Sequence, residues 1–429
     1  MSQGAGCLVT FAVAAVVCYL ATFGVRAAAG RAHLVVMPDS ARVHSIPTPT
    51  FGGAGMFVAF GVTVVIAWAV PAFRGDFASL SEPFGVLAGL AVIFVLGLAD
   101  DLREVSAPAK VAGQVLAAMV LFFLGVTMSH FKVPFAGFVV LSPSVLPLVT
   151  AFWVIAICNA VNLIDGLDGL AAGVVAIASG ALCVYGLRLE ELRVLTGDNF
   201  GPLVAAATCG ICIGFLPHNF HRAKIFMGDT GAMVLGLLMA VSTMLIGGQS
   251  YDYSGQTYFF FAPLLVPVFI LGVPLLDTVF AIARRTARRS GLAARDLDHL
   301  HHRLMRLGHG HRRAVLVLWA WTAILSAVAL YPSFDPRWNL AIPIGVAVLG
   351  AGLYTWFRPG RHSKLAPGAE VLIDIEDTEA SMSTVGRPGD ATAGATRRGA
   401  HRRGLDAGTA EHRAQMRRRF ARHHRPTRG

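Results

Sequence analysis

Long apolar runs separated by short polar segments fill the first 357 residues of the chain. Each run is close to the length, about 20 residues, that a helix needs to cross the hydrocarbon core of a bilayer. The runs lack the polar position once per turn that a soluble helical bundle would show. The pattern therefore predicts an all-α integral membrane protein. Eleven spans are predicted, near residues 5–25, 51–71, 83–99, 109–127, 136–157, 170–187, 201–216, 230–247, 258–283, 314–332 and 338–357.

Proline and composition refine this picture. Prolines in the fifth and ninth spans predict kinks in those helices. The chain is 55% hydrophobic and 14% charged, and this charged fraction is far below the usual quarter of a soluble domain. Residues 358–429 are rich in Arg, Gly, Ala and Thr and cannot bury a core. We therefore predict a multi-span domain over residues 1–357 and a disordered basic tail over 358–429.

The distribution of Lys and Arg predicts the orientation, because cytoplasmic loops carry an excess of both residues. If the amino terminus is outside, the inner loops hold sixteen Lys and Arg, the outer loops hold five, and the tail adds fifteen inside. The chain is thus predicted to be a multi-pass protein of the plasma (inner) membrane, with its amino terminus outside and its carboxyl terminus in the cytoplasm. Four polar clusters then share the cytoplasmic face: GLADD, NAVNLIDGLDG, KIFMGDTG and DLDHLHHRL.

Asp100 and Asp101 end the third span. Carboxylates at a helix carboxyl end are unfavourable, because the helix dipole is negative there. This cost favours a functional role over an ordinary polar helix end. Adjacent helical residues point about 100° apart, so the two should not do the same job. One would face a metal ion or a reacting phosphate while the other orients it, and Lys110, nine residues on, would point back to the same surface.

Asn159, Asn162, Asp165 and Asp168 recur every third residue between two apolar runs. On a helix such residues are neighbours, although glycines 166 and 169 can interrupt the helix and bring backbone close to a ligand. A turn would need only one such polar residue, so four beside apolar segments favour function. Polar groups near lipid depth are costly and point the same way.

Asp229 lies between glycines where the eighth span begins. Asp is a favoured N-cap, and it is equally a ligand for Mg²⁺ where backbone N–H groups also face an anion. Both interpretations stay open from the residues alone. Asn219 and Lys224, just upstream, could hold a nucleotide base and a phosphate.

A histidine cluster lies between the ninth and tenth spans. Clustered histidines could bind zinc, but no cysteine is near and the other clusters offer oxygen ligands, which suit magnesium. These side chains are therefore interpreted as binding phosphate oxygens or sugar hydroxyls. His44 lies in a shaped loop before the second span, for which a simple turn is an equal alternative. The cluster comprises His299, His301, His302 and Arg303.

Taken together, these motifs resemble the polyprenyl-phosphate N-acetylhexosamine-1-phosphate transferases (glycosyltransferase family 4), multi-span enzymes of cell-envelope synthesis. The resemblance covers about residues 5–357 and rests on GLADD with its following lysine, NAVNLIDGLDGL, FMGDTG and HLHHRL. HLHHRL is similar to the bacterial branch that transfers N-acetylglucosamine 1-phosphate to undecaprenyl or decaprenyl phosphate. The products of that branch begin lipopolysaccharide, teichoic acid or the mycobacterial arabinogalactan linker. The peptidoglycan branch instead has three consecutive histidines followed by Phe-Glu.

The resemblance implies the reaction and the site. UDP-N-acetylglucosamine and a polyprenyl phosphate would give polyprenyl-diphospho-N-acetylglucosamine and UMP, with Mg²⁺, or Mn²⁺ in its place, as cofactor. Asp229, with Asn162, would bind the metal. Asp100 would orient or deprotonate the lipid phosphate, with Asp101 beside it. Asp165 and Asp168 would line the nucleotide-sugar pocket as catalytic residues. Substrate binding would fall to His44, Lys110, Asn159, Asn162, Asn219, Phe226, His299, His301, His302 and Arg303.

Two other functions remain open. One is the phospho-N-acetylmuramoyl-pentapeptide transferase of peptidoglycan synthesis, and the other is a transporter of nucleotide sugars or ions, since acidic residues in membranes mark ion pathways. A transporter would place them near the midplane in repeated halves, which this chain does not show. The basic tail is explained by anionic lipid, so no nucleic acid partner is predicted. A homodimer also stays open.

Overall fold

The structure, a computed structural model, describes residues 3–32, 35–36, 48–75, 77–133, 137–193, 195, 199–247, 310–331 and 334. Over these residues the chain forms nine α-helices, a short 3-10 turn (Pro71–Phe73) and two antiparallel ribbons. The ribbons pair β1 (Val35–Val36) with β2 (Thr48–Pro49), and β3 (His130–Val133) with β4 (Gly137–Val140). The helices are α1 Gln3–Arg31, α2 Gly52–Trp68, α3 Ser81–Arg103, α4 Ala107–Phe123, α5 Leu146–Ile164, α6 Leu170–Glu191, α7 Gly201–Asn219, α8 Gly228–Gly247 and α9 His311–Leu330.

Seven of these helices are long and apolar enough to cross a bilayer, namely α1, α3 and α5 to α9, while α2 and α4 are apolar helices of 17 residues. Large apolar side chains such as Phe123, Leu148 and Phe152 are exposed on the outside of the bundle. Exposed apolar surface of this kind marks contact with lipid. The prediction of a helical integral membrane protein is confirmed. The predicted spans 258–283 and 338–357 and the tail 358–429 lie outside the described residues.

The fifth predicted span is wrong at both ends. The span was expected over 136–157, but α5 runs from Leu146 to Ile164. The preceding residues instead form the β3–β4 ribbon, where β-branched and aromatic side chains favour strands. Because Pro134 precedes the helix by twelve residues, it does not kink it. The later end places Asn159 and Asn162 inside the helix.

Helix α8 is the centre of the bundle. Every residue from Thr230 to Gly247 is buried, and the helix packs against α2, α3, α5, α6 and α7. A helix that is apolar all round belongs in such a core. Small residues allow this close packing, as in other membrane bundles: a Cβ added at Gly236 would lie 2.6 Å from the Cα atom of Cys158 on α5. The amino end of α8 is consequently enclosed by its neighbours.

Candidate active site

Asp101 caps the amino end of α8. Its Oδ1 atom accepts the backbone N–H of Asp229 at 2.8 Å, and its Oδ2 atom accepts the backbone N–H of Thr230 at 3.2 Å and the Thr230 hydroxyl at 2.6 Å. A carboxylate at a helix amino end satisfies backbone donors and interacts favourably with the helix dipole. The acidic end of α3 is therefore stabilised by a second helix, 128 residues further along the chain.

Gly228 makes this contact possible. Its backbone lies in the left-handed region, with φ of 71°, and a Cβ atom at this position would collide with the carboxylate of Asp101. Both the conformation and the space therefore require glycine.

Lys110 lies between two carboxylates. Its ammonium group forms an ion pair with Oδ2 of Asp100 and donates to Oδ2 of Asp229 at 3.0 Å. The other Asp100 oxygen accepts the backbone N–H of Val105 at 2.7 Å. Asp100 is buried, whereas the Asp229 side chain is 37% exposed, so the site opens towards Asp229. We call Asp100, Asp101, Lys110 and Asp229 the carboxylate–lysine site.

The contacts of Asp101 and Asp229 show which of the two carboxylates caps α8. Asp100 and Asp101 make different contacts, since one pairs with Lys110 and the other caps α8. Their predicted division of roles in the reaction stays a prediction. The side chain of Asp229 contacts Lys110, and Asp101 caps the helix in its place. Asp229 is thus available to a ligand, and Lys110 points back to this surface as predicted.

Removing the cap should misplace Asp229. We expect Asp101→Ala to lower the free energy of unfolding by about 1–2 kcal/mol, the usual cost of a lost N-cap. Activity at this site should fall by a larger factor than the loss of folded protein explains, because a small displacement of a reacting group can lower rates about 100-fold. Thermal unfolding and activity measured on the same purified samples check this. Equal activity of Asp101→Ala and the unmodified protein would contradict the positioning role.

Asp165 is the residue that ends α5, in the loop before α6. Burial, followed by the nearby negative charges of Asp229, Asp101 and Asp168, raises the pKa of Asp165 from 3.8 to about 8. The carboxyl group is therefore favoured in its neutral form at pH 7, next to the carboxylate–lysine site. A cation bound there would reverse this preference.

The raised pKa predicts a pH dependence of stability. The unfolded chain ionises Asp165 near pH 4 while the folded chain keeps it protonated up to about pH 8. The contribution of Asp165 to the free energy of unfolding is greatest below about pH 4. It decreases as the pH rises to about 8, and above that pH it no longer changes. Asp165→Asn lacks this titration, so its melting temperature minus that of the unmodified protein should increase from pH 5 to pH 8. Thermal unfolding without divalent cations checks this, and parallel pH profiles would refute the assignment.

The two predicted asparagines of α5 differ in their surroundings. The Asn159 amide donates to Oε1 of Gln114 at 2.9 Å and to the Ile155 carbonyl at 2.8 Å, so its N–H groups serve packing between α4 and α5. Asn162 is half-buried, and its backbone carbonyl accepts the backbone N–H of Asp165. Their roles in binding substrate or metal stay predictions.

Asn219 joins two loops at the same end of the bundle. Its Oδ1 atom accepts the Gly169 N–H at 2.9 Å, and its Nδ2 atom donates to the Ile225 carbonyl at 3.0 Å. Phe226 is bound by the segment before α2, since its N–H donates to Pro49 and its carbonyl accepts the Gly52 N–H, each at 2.9 Å. The contact of Asn219 and Phe226 with uracil stays a prediction, to which the structure adds a bracing role.

Cations surround a cavity of about 700 Å³ beside this segment. Arg26 and Arg31, at the end of α1, line it together with Lys224 and with Thr48 and Pro49 of β2. Such a cavity suits an anionic ligand.

Asp168 does not contact the carboxylate–lysine site. Its Oδ2 atom accepts the Ala223 N–H at 3.1 Å and lies 3.2 Å from Nδ1 of His221. Although burial alone would raise it, these hydrogen bonds lower the pKa of Asp168. The predicted residues His44, His299, His301, His302 and Arg303 lie outside the described residues.

Sequence reasoning missed several partners of the predicted residues. Thr230 could have been found as the hydroxyl in GDTG, and Gln114 as an isolated amide in an apolar run. His221 and His311 carry no local signal, because only the fold brings them together.

The carboxylate–lysine site fits a divalent cation by the chemistry of its donors. Two carboxylates from different helices already share the positive charge of Lys110, and a third, Asp165, lies close enough to feel the charge of Asp229. Carboxylate and amide oxygens are the ligands that Mg²⁺ prefers. Asp229, whose side chain is partly exposed, is the carboxylate that could hold it, and the role of Asn162 as a second ligand stays a prediction.

These helices and this site define a helical membrane protein with a cluster of carboxylates around a lysine at one end of its bundle. Comparison with known proteins places it more closely. The family model described as Glycosyl transferase family 4 matches residues 83–247. The chain is also 42% identical over 352 residues to the decaprenyl-phosphate N-acetylglucosaminephosphotransferase of Mycolicibacterium smegmatis, covering 80% of this chain and 86% of that protein.

Two further relatives show the breadth of the match. A Bacillus subtilis protein, named a probable undecaprenyl-phosphate N-acetylglucosaminyl 1-phosphate transferase, is 36% identical over 69% of this chain and 76% of its own. The phospho-N-acetylmuramoyl-pentapeptide-transferase of Desulforudis audaxviator is 33% identical over 66% of this chain and 84% of its own. The chain belongs to glycosyl transferase family 4, as its motifs predicted.

Proposed function

We propose that the protein transfers N-acetylglucosamine 1-phosphate from UDP-N-acetylglucosamine to a polyprenyl phosphate, giving polyprenyl-diphospho-N-acetylglucosamine and UMP. The observation that carries the proposal is the carboxylate–lysine site, in a chain 42% identical to a protein named for this transfer to decaprenyl phosphate. An end-of-bundle site suits the reaction, because one substrate is a membrane lipid and the other is soluble in water.

The reaction brings two anions together. An oxygen of the lipid phosphate attacks the sugar-bearing phosphorus of the diphosphate, and the bond to the UMP oxygen breaks. Lys110 supplies a fixed positive charge, and preorganised charge of this kind is a major source of catalysis. The cationic side chains of Arg26, Arg31 and Lys224, which line the cavity, favour binding of anionic substrate groups.

Asp100 has a positioning role in this scheme. Both of its oxygens have partners, Lys110 and the Val105 N–H, and the side chain is buried. It is therefore poorly placed to act as a nucleophile and instead orients the ammonium group. A phosphate monoester has a second pKa of about 6 and is already largely ionised at pH 7. Direct attack by the lipid phosphate therefore needs no strong base.

Mg²⁺, for which Mn²⁺ can substitute, is proposed as the cofactor, with Asp229 and Asn162 as ligands. When bound, it would neutralise charge on the phosphate oxygens. Asp101 holds Asp229 in place through the start of α8. Asp165 and Asp168 would line the nucleotide-sugar pocket, with the histidines of HLHHRL.

The finer membrane arrangement is also a proposal. The apolar runs support eleven spans. The excess of Lys and Arg supports an amino terminus outside and a site at the cytoplasmic face of the plasma membrane. A homodimer is compatible with it.

The phospho-N-acetylmuramoyl-pentapeptide alternative is weaker, since identity to that branch is 33% against 42%. HLHHRL, rather than three histidines followed by Phe-Glu, supports the same preference.

The test is transfer by the purified full chain in lipid nanodiscs with polyprenyl phosphate and Mg²⁺. UDP-N-acetylglucosamine labelled in the sugar should give a label extractable into organic solvent, with one UMP released per product. UDP-N-acetylmuramoyl-pentapeptide should give none, and reactions without polyprenyl phosphate are the blank. Product from the pentapeptide donor alone would favour the peptidoglycan branch. Uptake of nucleotide sugar by proteoliposomes without UMP release would indicate a transporter.

A further inference from the structure

A second set of metal-type ligands lies apart from the carboxylate–lysine site. Asp168 comes from the loop between α5 and α6, His221 from the loop between α7 and α8, and His311 from the first residue of α9. One ligand atom of each residue lies within 4.8 Å of the other two. We call these residues the Asp–His cluster.

The donor atoms of the Asp–His cluster differ from those of the proposed magnesium site. Two imidazoles and one carboxylate suit zinc and related transition metals, and two histidines with one carboxylate is an established zinc set. Tetrahedral bonds of about 2.0–2.1 Å place two ligand atoms about 3.3 Å apart. Asp168 Oδ2 and His221 Nδ1 are already 3.2 Å apart, so the set closes when the His311 ligand atom moves in from its place within 4.8 Å of both.

His311 gives an independent reason to expect a ligand. Both of its ring nitrogens are buried, and neither makes a well-aligned hydrogen bond among the residues that the structure describes, although the Asp168 backbone lies close enough to interact with the ring. Buried polar atoms without partners are uncommon, and each costs free energy. The ring is stacked on His221, with centroids 4.3 Å apart and planes at 24°. Because the nitrogen lone pairs of stacked rings point side by side, a shared metal ion would require one ring to rotate out of the stack, and it would then bind one nitrogen of each ring.

The surrounding structure holds the cluster in place. The Arg312 side chain donates to the His221 carbonyl at 3.2 Å. Further along α9, Trp319 donates to the Leu170 carbonyl at 3.4 Å and packs beside Phe220, with ring centroids 5.6 Å apart. The amino end of α9 is therefore fixed against both loops that supply the other ligands, and ligands on fixed elements are preorganised for a metal.

We propose that Asp168, His221 and His311 bind one Zn²⁺ ion, or a transition-metal ion of the same class, which joins the amino end of α9 to the α5–α6 and α7–α8 loops. The ion has a structural role, distinct from the magnesium of the transfer reaction. It would use Oδ2 of Asp168, which leaves the other carboxylate oxygen for the nucleotide-sugar pocket that Asp168 is proposed to line. The alternative is a hydrogen-bonded Asp–His–His cluster that binds no metal.

The test is Zn²⁺ binding to the full chain in nanodiscs after treatment with a chelator. In millimolar Mg²⁺, a competing zinc indicator should report one saturable site per chain. Zn²⁺ should raise the melting temperature, because it binds only the folded state. Co²⁺ should give the intense visible absorption of a tetrahedral site. His221→Gln and His311→Gln should weaken Zn²⁺ binding by more than about 100-fold, because even groups that only orient metal ligands contribute 10- to 100-fold.

His130→Gln is the matched control. His130 lies in β3, in the connection between α4 and α5, and this variant should bind Zn²⁺ like the unmodified chain. Folding of each glutamine variant is checked by its melting temperature without Zn²⁺ and its elution as a single species. If His311→Gln does not fold, His221→Gln alone decides. The absence of a saturable site in the unmodified chain, or equal Zn²⁺ affinity of a folded glutamine variant, would overturn the proposal in favour of the metal-free cluster.

Discussion

Asp229→Asn is expected to lower sugar-phosphate transfer by at least about 1,000-fold while the protein still inserts and folds. Stabilisation of phosphate charge by a metal ion contributes several kcal/mol, and each 1.36 kcal/mol corresponds to about tenfold in rate. Asparagine keeps the size of the side chain but removes the charge that attracts the ion. The start of α8 should remain intact, because Asp101 bonds to the backbone N–H of residue 229 and not to its side chain.

Activity alone would not separate metal binding from other roles of Asp229. Binding of Mn²⁺, followed by electron paramagnetic resonance, supplies an independent readout and should be lost together with transfer. Glu191→Gln is the matched control, since Glu191 is an exposed carboxylate at the carboxyl end of α6 whose one ion pair among the described residues is with Arg188. Normal Mn²⁺ binding by a folded Asp229→Asn protein would refute the metal assignment.

Much of this site could be predicted because membrane helices impose strong rules. Apolar runs located all nine described helices, and the alternation of spans implied that GLADD and GDTG share one end of the bundle. The structure brings them together through Lys110. The different contacts of Asp100 and Asp101 followed from helix geometry, since neighbouring residues point in different directions.

Other features depend on contacts that no local pattern encodes. That Asp101 caps α8 requires α3 and α8 to meet at a glycine without a Cβ atom. The Asp–His cluster combines residues 143 positions apart, from 168 to 311. The start of α5 was misplaced because a short apolar run between turns has the same composition as a helix end. Local rules therefore located the elements, while the contacts between them came from packing.

Lys110→Met should destabilise the protein in a way that a second substitution corrects. The buried carboxylate of Asp100 would lose its cation and face Asp229. Breaking a buried ion pair on one side costs 3–5 kcal/mol; we expect about 3 kcal/mol or less, because the Asp229 side chain is 37% exposed and solvent screens it. Adding Asp100→Asn removes the uncompensated charge and keeps an acceptor for the Val105 N–H, so the double variant should regain most of this stability.

Divalent cations distinguish this account from a simple loss of packing. If Asp100 and Asp229 form a cation site, Mg²⁺ can replace the charge of the missing ammonium group and should raise the melting temperature of Lys110→Met more than that of the double variant. Transfer should fall by at least about 100-fold in both variants, because the double substitution restores charge balance without restoring the cation that faces the phosphates. Thermal unfolding with and without Mg²⁺, beside the transfer assay, measures both effects. Recovery of transfer in the double variant would show that Lys110 acts only on stability, and an unchanged melting temperature in Lys110→Met would show that the ion pair with Asp100 contributes nothing.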